Sequence, residues 1–204
     1  MNTVPVSPEP AWEVSRLFPA QGAWSEEEYL DLPGNRLVEF DLGHVEVLEM
    51  PSQSHQLLVA FLYRLLSDFV GRQGLGLVLF APLPLKLWEG KMREPDVLFM
   101  RREHRERRHE NYWRGADLVM EVVSPDNPGR DKITKRREYA RAGIPEYWLV
   151  DPVEQTVTVF SLPEQAEEYA IHGVFGLGEQ ATSASLAGFS LAVSDLFAAA
   201  EDLG

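Results

Sequence analysis

Hydrophobic positions recur along this chain with two different periods, and each period predicts its own kind of element. Apolar residues spaced three or four positions apart in residues 55–70, and again up to about residue 142, are typical of amphipathic helices. Ser54 is placed to cap the first of these helices, and Asp126 or Asn127 is placed to cap the second. Two shorter helices are expected after capping signals at Ser25 and Ser194.

Short β-type runs occupy the intervals between the helices. Alternating stretches at residues 36–41 and 44–49 flank Gly43 and predict a β-hairpin. Further strands are expected at residues 77–80, 83–88, 97–100, 118–123, 147–150, 156–160, 165–171 and 188–193. The pattern predicts an α+β (α/β) fold, with a mixed central β-sheet flanked by helices.

Two of these runs hold a carboxylate where an apolar residue is expected. Asp96 precedes the strand at residues 97–100, and Glu121 interrupts the apolar run at 118–123. A buried carboxylate is costly unless it is paired or binds a cation. Either residue alone is more simply explained as a carboxylate at a sheet end, held by a backbone donor or an arginine. The two together favour a site for a hard cation.

Composition limits the classes of protein to which the chain can belong. Its 204 residues contain 45% hydrophobic and 25% charged residues, which is typical of one globular domain, here residues 23–200 after an N-terminal arm at 1–22. The chain has no cysteine, which excludes disulfides and thiolate chemistry. No apolar run is long enough to span a bilayer, and the N-terminus lacks signal-peptide features, so a cytoplasmic protein without membrane contact is expected.

Charge is distributed unevenly along the chain. The net charge of −13 argues against tight general binding to nucleic acid, which depends on neutralising phosphates. Residues 91–141 nevertheless contain 14 of the 19 lysines and arginines and only 10 of the 32 acidic residues. Because this basic segment also contains Asp96 and Glu121, it could draw an anionic substrate to one face. Alternatively, residues 101–110 form a solvated loop or short helix.

Several motifs in this order resemble a known family. They are Glu39 near a turning glycine, Pro-Asp at 95–96, Glu-Val-Val-Ser-Pro at 121–125, Asp-Lys-Ile-Thr-Lys at 131–135, Tyr139, and Gly-Ile-Pro-Glu-Tyr-Trp-Leu-Val-Asp at 143–151. This set resembles the widespread bacterial family of restriction-endonuclease-like proteins, which is assigned to the PD-(D/E)XK nuclease superfamily. The resemblance extends over residues 25–196.

The resemblance implies a nuclease of DNA that depends on Mg²⁺, with Mn²⁺ as a possible substitute. In that superfamily an Asp and an Asp or Glu hold the metal, and a lysine positions or polarises the attacking water. Carried over to this chain, Asp96 and Glu121 become metal ligands, and Glu39 becomes an additional acidic residue of the site. Such a metal would neutralise charge on the scissile phosphate and activate the water.

The chain departs from the superfamily pattern at the lysine. Val123 stands two residues after Glu121, where the lysine is usually found. Lys135 on the following helix is the expected substitute and fits better than Lys132, because it shares one helix stripe with Asp131 and Tyr139. The competing interpretation of Lys135 is a surface ion pair with Asp131, which stabilises little.

Other assignments stay open. His55 is either an accessory member of the site or a partly buried histidine at a helix start, and Tyr139 is expected to pack in the core with its hydroxyl toward the site. A catalytically silent scaffold and a phosphoesterase for a smaller substrate are the alternatives to a DNA nuclease. A homodimer is possible through apolar surfaces near residues 83–88 and Phe197.

Overall fold

A computed structural model describes residues 18–32, 37–124 and 128–201. Its strands are β1 Val38–Asp41, β2 His44–Val47, β3 Gly76–Phe80, β4 Leu85–Trp88, β5 Lys91–Arg93, β6 Val97–Arg101, β7 Trp113–Arg114, β8 Leu118–Val122, β9 Glu146–Asp151, β10 Thr156–Ser161, β11 Ala170–Phe175, β12 Gln180–Thr182 and β13 Ser190–Ala192. Its α-helices are α1 Glu26–Leu30, α2 Gln53–Gln73, α3 Arg136–Arg141 and α4 Val193–Glu201. A 3₁₀ helix spans Arg102–Arg107, and a π-helical segment spans Arg130–Lys135.

A six-stranded mixed sheet in the order β11-β10-β9-β8-β6-β3 forms the centre of the fold. Strands β8 and β9 are parallel, and the other neighbours are antiparallel. Alternate residues of one strand pack on opposite faces: Val97 and Phe99 face a core with α2 and α4, whereas Leu98 and Met100 face a core that includes Tyr139 of α3. Burial on both faces explains the nearly continuous apolar runs, and it confirms the predicted mixed sheet flanked by helices.

A second sheet of five short strands, in the order β2-β1-β5-β4-β7, adjoins the first. The predicted hairpin is present, with Phe40 paired with Val45 and Asp41 paired with His44. Strand β1 also pairs with β5, which brings the hairpin next to the segment that leads into β6. Strands β12 and β13 form a separate two-stranded sheet.

Local signals explain most helix boundaries, with one correction. The capping box at Ser25 and Glu28 is present and begins α1. Helix α2 begins two residues earlier than expected, because Ser52 and not Ser54 accepts a hydrogen bond from the His55 backbone amide. The helix ends at Gly74, whose left-handed conformation (φ 64°) suits a residue without a side chain.

The helix before β9 differs from a regular α-helix. Its segment Arg130–Lys135 is π-helical, and the α-helix Arg136–Arg141 follows it. The expected caps Asp126 and Asn127 lie outside the described residues, as do residues 1–17 of the arm and the predicted turn at 33–35. Farther along, the strand predicted at 165–171 is found at Ala170–Phe175.

The sheet separates the basic segment into two regions. Asp96 precedes β6 and Arg101 ends it, so five residues, about 16 Å of extended chain, separate the two ends. The arginine-rich 3₁₀ helix Arg102–Arg107 therefore lies at the end of the sheet remote from Asp96 and Glu121. Residues 102–107 thus form the short, solvated helix of the alternative interpretation, and their arginines do not face the two carboxylates.

The surfaces expected to support a homodimer are partly buried, and residues 83, 84, 87 and 88 keep some exposure. Leu85 of β4 is fully buried, and Phe197 of α4 belongs to the core beneath α2. These two residues are therefore not exposed as expected, and the homodimer itself stays a prediction. Among the described residues, no helix has both the length and the apolar character needed to cross a bilayer.

Candidate active site

Asp96 and Glu121 come together because β6 and β8 are antiparallel neighbours. Val97 pairs with Met120, so the next residues outward, Asp96 and Glu121, lie across from each other. The Asp96 carboxylate accepts a hydrogen bond of 2.8 Å from the Val122 backbone amide, which ties the two strands together at this end. Both carboxylates line one cleft with a volume of about 960 Å³. The two carboxylates that were expected to form one site therefore lie at the same end of neighbouring strands.

The Glu121 carboxylate is buried and has two close partners. Its Oε1 accepts a hydrogen bond of 2.5 Å from the Tyr139 hydroxyl, and its Oε2 lies 3.0 Å from the Lys135 ammonium. Burial raises the pKa of Glu121 to about 8. The negative charges of Asp96 and Asp131 also raise this pKa, whereas the positive charge of Lys135 lowers it. The site therefore concentrates negative charge beyond what one lysine compensates, and an added cation would relieve that repulsion.

Lys135 lies at the centre of the carboxylates and is buried. Its ammonium is 3.0 Å from Asp131 Oδ1 and 3.9 Å from Glu39 Oε1, in addition to its contact with Glu121. Burial would lower the pKa of Lys135, but Glu121, Glu39 and Asp131 outweigh it and raise that pKa above its usual range, so the group stays charged. Asp131, Lys135 and Tyr139 all point inward, as the stripe predicted.

Lys132, the alternative lysine, does not reach these carboxylates. It forms an ion pair with Asp151, with 2.5 Å between Nζ and Oδ2, and part of its side chain is exposed. Ile133 lies two residues from both Asp131 and Lys135, on the opposite side of the helix, and it is 49% exposed. The turn that carries Asp131 and Lys135 is π-helical, and such turns are frequent at functional sites.

Glu39 reaches the site but is already held by arginines. Its buried carboxylate forms ion pairs with Arg93 and Arg130, and Arg93 also binds Glu138 through Nε and Nη2, at 2.7 and 2.9 Å. Burial would raise the pKa of Glu39, but Lys135, Arg93 and Arg130 outweigh it and hold that pKa below its usual range. Glu39 is therefore a charged neighbour of Lys135 with little capacity left for a metal.

Asp96, Glu121 and the additional acidic residue Glu39 differ in how well they could bind a cation. Within the described ranges, no three carboxylate or imidazole side chains converge as metal ligands. Mg²⁺, however, is commonly bound by one or two carboxylates and completes its octahedron with waters and substrate oxygens. The hard-oxygen donors Asp96 and Glu121, beside an open cleft, fit that requirement, and Glu39 does not.

His55 adjoins the carboxylate pair. It lies in the first turn of α2, and its Nε2 is 3.4 Å from Asp96 Oδ2. Burial would lower the pKa of His55, but the hydrogen bond and charge of Asp96 outweigh it and raise that pKa. In the part of the chain that the structure describes, the buried Nδ1 has no hydrogen-bond partner. Both interpretations of His55 therefore hold in part, since it begins a helix and also contacts Asp96.

Three supporting residues were not predicted from the sequence. Arg93 and Arg130 neutralise Glu39, and the hydroxyl of Tyr147, correctly assigned to the core, donates to the Asp131 backbone carbonyl at 3.1 Å. The position of Arg93, two residues before the Pro-Asp pair in a buried segment, was an available signal. Arg130 gave none, because it meets Glu39 only through the tertiary fold.

Comparison with known proteins agrees with this fold. Residues 26–194 match the family described as Uma2, putative restriction endonuclease. The crystal structure of a putative nuclease belonging to DUF820 from Anabaena variabilis is similar, with a TM-score of 0.70 and 21% sequence identity over 87% of this chain and 99% of that chain. At this identity the likeness concerns the fold alone. No curated protein matches the chain. Because the family match spans most of its length, the protein belongs to the Uma2 family of putative restriction endonucleases.

Proposed function

We propose that the protein is a nuclease that hydrolyses phosphodiester bonds of DNA with Mg²⁺ or Mn²⁺ held by Asp96 and Glu121. The bound metal would neutralise charge on the scissile phosphate and lower the pKa of the attacking water. The contact between the Lys135 ammonium and the Glu121 carboxylate, 3.0 Å long and beside the cleft, carries this proposal. Through this contact, Lys135 on the helix takes the place of the lysine that the superfamily usually has at the position of Val123.

Lys135 is the group that stabilises negative charge in this proposal. Its ammonium is protonated, buried and held between Glu121 and Asp131, so little reorganisation is needed when charge develops on a phosphate oxygen in the cleft. Tyr139 fixes one oxygen of Glu121 by donating a hydrogen bond. Glu39 acts as a positioning residue, since its contact with Lys135 and its two arginines hold the lysine chain in place.

His55 and Asp131 have supporting roles. The His55 imidazole contacts the oxygen of Asp96 that also accepts the Val122 amide, and so orients that carboxylate toward the cleft. Asp131 contacts Lys135, and its other oxygen accepts a hydrogen bond of 3.3 Å from the Ser124 backbone amide. The helix that carries Lys135 is thereby attached to the end of β8.

The direct test is cleavage of supercoiled plasmid, linear duplex and single-stranded DNA by the purified protein with Mg²⁺, with Mn²⁺ and with EDTA. The proposal expects cleavage that depends on the cation and is abolished in Asp96→Ala. Cleavage of equal rate in EDTA, or an Asp96→Ala protein as active as wild type, would contradict it. A nucleotide monoester substrate in parallel distinguishes a phosphoesterase for smaller substrates.

A catalytically silent scaffold is the second candidate, and one observation favours it. Lys135, Arg93 and Arg130 already pair with Glu121, Asp131 and Glu39, so much of the site's charge is balanced without a metal. The two candidates differ in their response to divalent cations. A nuclease site should be stabilised against unfolding by Mg²⁺ or Mn²⁺, because the cation binds only the folded arrangement. The scaffold predicts an unchanged melting temperature.

A further inference from the structure

We infer that the cleft accepts a single DNA strand, with one unpaired base stacked on the aromatic pair Tyr63 and Phe80. The inference rests on the proposed function and deepens it, because it names the form of DNA that reaches Asp96 and Glu121. Its evidence is the apolar lining of the cleft, the charge of the cleft and its size.

The aromatic pair lies in the cleft beside the carboxylates. The rings of Tyr63 and Phe80 are 4.6 Å apart at an interplanar angle of 62°, and both residues line the cleft. Phe80 remains 48% exposed despite this contact. It is also next to the candidate metal ligands, because it pairs with Val97 and the following Ala81 amide donates to the Asp96 carbonyl at 3.2 Å. An exposed aromatic face at this position is available to a base near the scissile phosphate.

One stripe of α2 connects the aromatic pair to the site. His55, Val59 and Tyr63 follow each other at intervals of four and all line the cleft, so they form one wall. The wall extends about 12 Å along the helix, from the contact of His55 with Asp96 to the ring of Tyr63. Further apolar lining comes from the end of β2 and the loop after it, where Val47 and Met50 are exposed. A base, which is flat and apolar on its faces, fits such walls.

The charge of the cleft disfavours a duplex. Its ionisable lining residues are mostly acidic: Glu46, Glu49, Glu94, Asp96, Glu121 and Asp131, against the cations Arg130 and Lys135 and the imidazole of His55. Both cations are bound to carboxylates, Arg130 to Glu39 and Glu46 and Lys135 to Glu121 and Asp131. Duplex affinity comes mainly from neutralising many phosphates with lysine and arginine. Stacking on aromatic rings does not require those cations.

The size of the cleft agrees with this conclusion. A volume of about 960 Å³ lies in the range of pockets that enclose one small molecule. A base with its sugar and phosphate is of that class, whereas a duplex presents its bases already stacked and paired. The arginine-rich 3₁₀ helix Arg102–Arg107 lies at the other end of the sheet and adds no positive charge to the cleft.

Binding should be measured without cleavage, by fluorescence anisotropy in Ca²⁺, which takes the same oxygen ligands as Mg²⁺. The probes are a labelled single strand of about 12 nucleotides, within the site sizes of single-strand binders, and its duplex. We expect the single strand to bind more tightly than the duplex. Phe80→Ala should weaken single-strand binding roughly 5- to 100-fold, the usual loss of one base–aromatic stack.

Two further variants separate stacking from effects on folding. Leu77→Ala is the matched control, because Leu77 lies on the same strand, is 40% exposed and does not line the cleft. It should bind as wild type does, and Phe80→Trp should retain binding because it keeps an aromatic face. Tighter binding of the duplex, or Phe80→Ala with wild-type affinity, would overturn the inference. Since binding is read without cleavage, an absence of Mg²⁺-dependent cleavage would count only against the nuclease proposal.

Discussion

Buried carboxylates lie at both ends of the paired strands β8 and β9, and their partners differ. At one end Glu146 accepts hydrogen bonds of 2.5 Å from the Trp148 indole, 2.7 Å from the Ser183 hydroxyl and 2.6 Å from the Ser185 backbone amide. At the other end Glu121 has one phenol and one ammonium as partners, with Asp96 and Asp131 close enough to raise its pKa. Both carboxylates are buried, so burial alone does not indicate a cation site.

Asp117, which precedes β8, lies at the same end of the sheet as Glu146 and likewise has hydrogen-bond donors as its partners. It accepts a hydrogen bond of 2.7 Å from the Arg101 backbone amide and lies 2.8 Å from the His104 imidazole. Carboxylates whose neighbours are hydrogen-bond donors and not other carboxylates are satisfied where they are, and they stabilise the fold. A carboxylate that faces other carboxylates, a lysine and an open cleft can exchange partners for a cation. This difference supports the catalytic role proposed for the pair Asp96 and Glu121, and it favours structural roles for Glu146 and Asp117.

The largest effect is expected for the metal ligands. Asp96→Ala should abolish cleavage, because it removes one of two carboxylates proposed to hold the cation. Asp117→Asn, the matched control at the other end of the sheet, should retain the wild-type rate once the folded fraction is taken into account. Rates of plasmid cleavage in Mg²⁺ measure both. Equal losses in the two variants would mean that the ends of the sheet do not differ in function.

Lys135→Ala should lower the cleavage rate by roughly two orders of magnitude or more, as expected for losing one preorganised charge. Binding of Mn²⁺ should be nearly intact, because the carboxylates remain. Lys132→Ala is the control, since Lys132 pairs with Asp151 outside the cleft. If Lys132→Ala were impaired and Lys135→Ala cut normally, the lysine that replaces the one absent at Val123 would be Lys132 and not Lys135.

The ranking should be reversed for the free energy of unfolding, which should depend more on Glu146 at one end of the sheet than on Glu121 at the other. Glu146→Gln should lower the free energy of unfolding by about 1–3 kcal/mol, because the amide cannot accept from every donor that the carboxylate satisfies. Glu121→Gln should lower the free energy of unfolding by less, since a neutral amide avoids the cost of burying a charge, which raises the pKa of Glu121. Urea unfolding at neutral pH compares the two variants. If Glu121→Gln lost more unfolding free energy than Glu146→Gln, the assignment of the structural role to Glu146 would be contradicted.

The smallest effect concerns pH. Because the pKa of Glu121 is about 8 in the folded protein and near 4.5 when unfolded, its protonation contributes stability below pH 4.5, and that contribution is lost as pH rises to about 8. Buried Glu94, with a pKa also raised to about 8, acts in the same direction. Without metal, Glu121→Gln should therefore reduce the decline in unfolding free energy between pH 5 and 8. An unchanged decline would show that Glu121 is ionised throughout this range.

The sequence was sufficient to predict the strand pairing that carries the site. An acidic residue inside or beside an apolar strand indicated Asp96 and Glu121, and helical spacing distinguished Lys135 from Lys132. The position of Arg93 beside the Pro-Asp pair indicated a residue of the site. Its contact with Glu39 and that of Arg130 could not be predicted, because the two arginines lie 54 and 91 residues away and meet Glu39 only after folding. The π-helical turn was also missed, since no local pattern separates it from an α-helix.

Binding of Mn²⁺ in the absence of DNA tests the central comparison most directly, and titration followed by electron paramagnetic resonance would measure it. Wild type and Asp117→Asn should bind Mn²⁺ alike, and Asp96→Ala should not bind it. No binding by the wild type, or binding that survives in Asp96→Ala, would contradict the assignment of the cation site to the end of the sheet that holds Asp96 and Glu121.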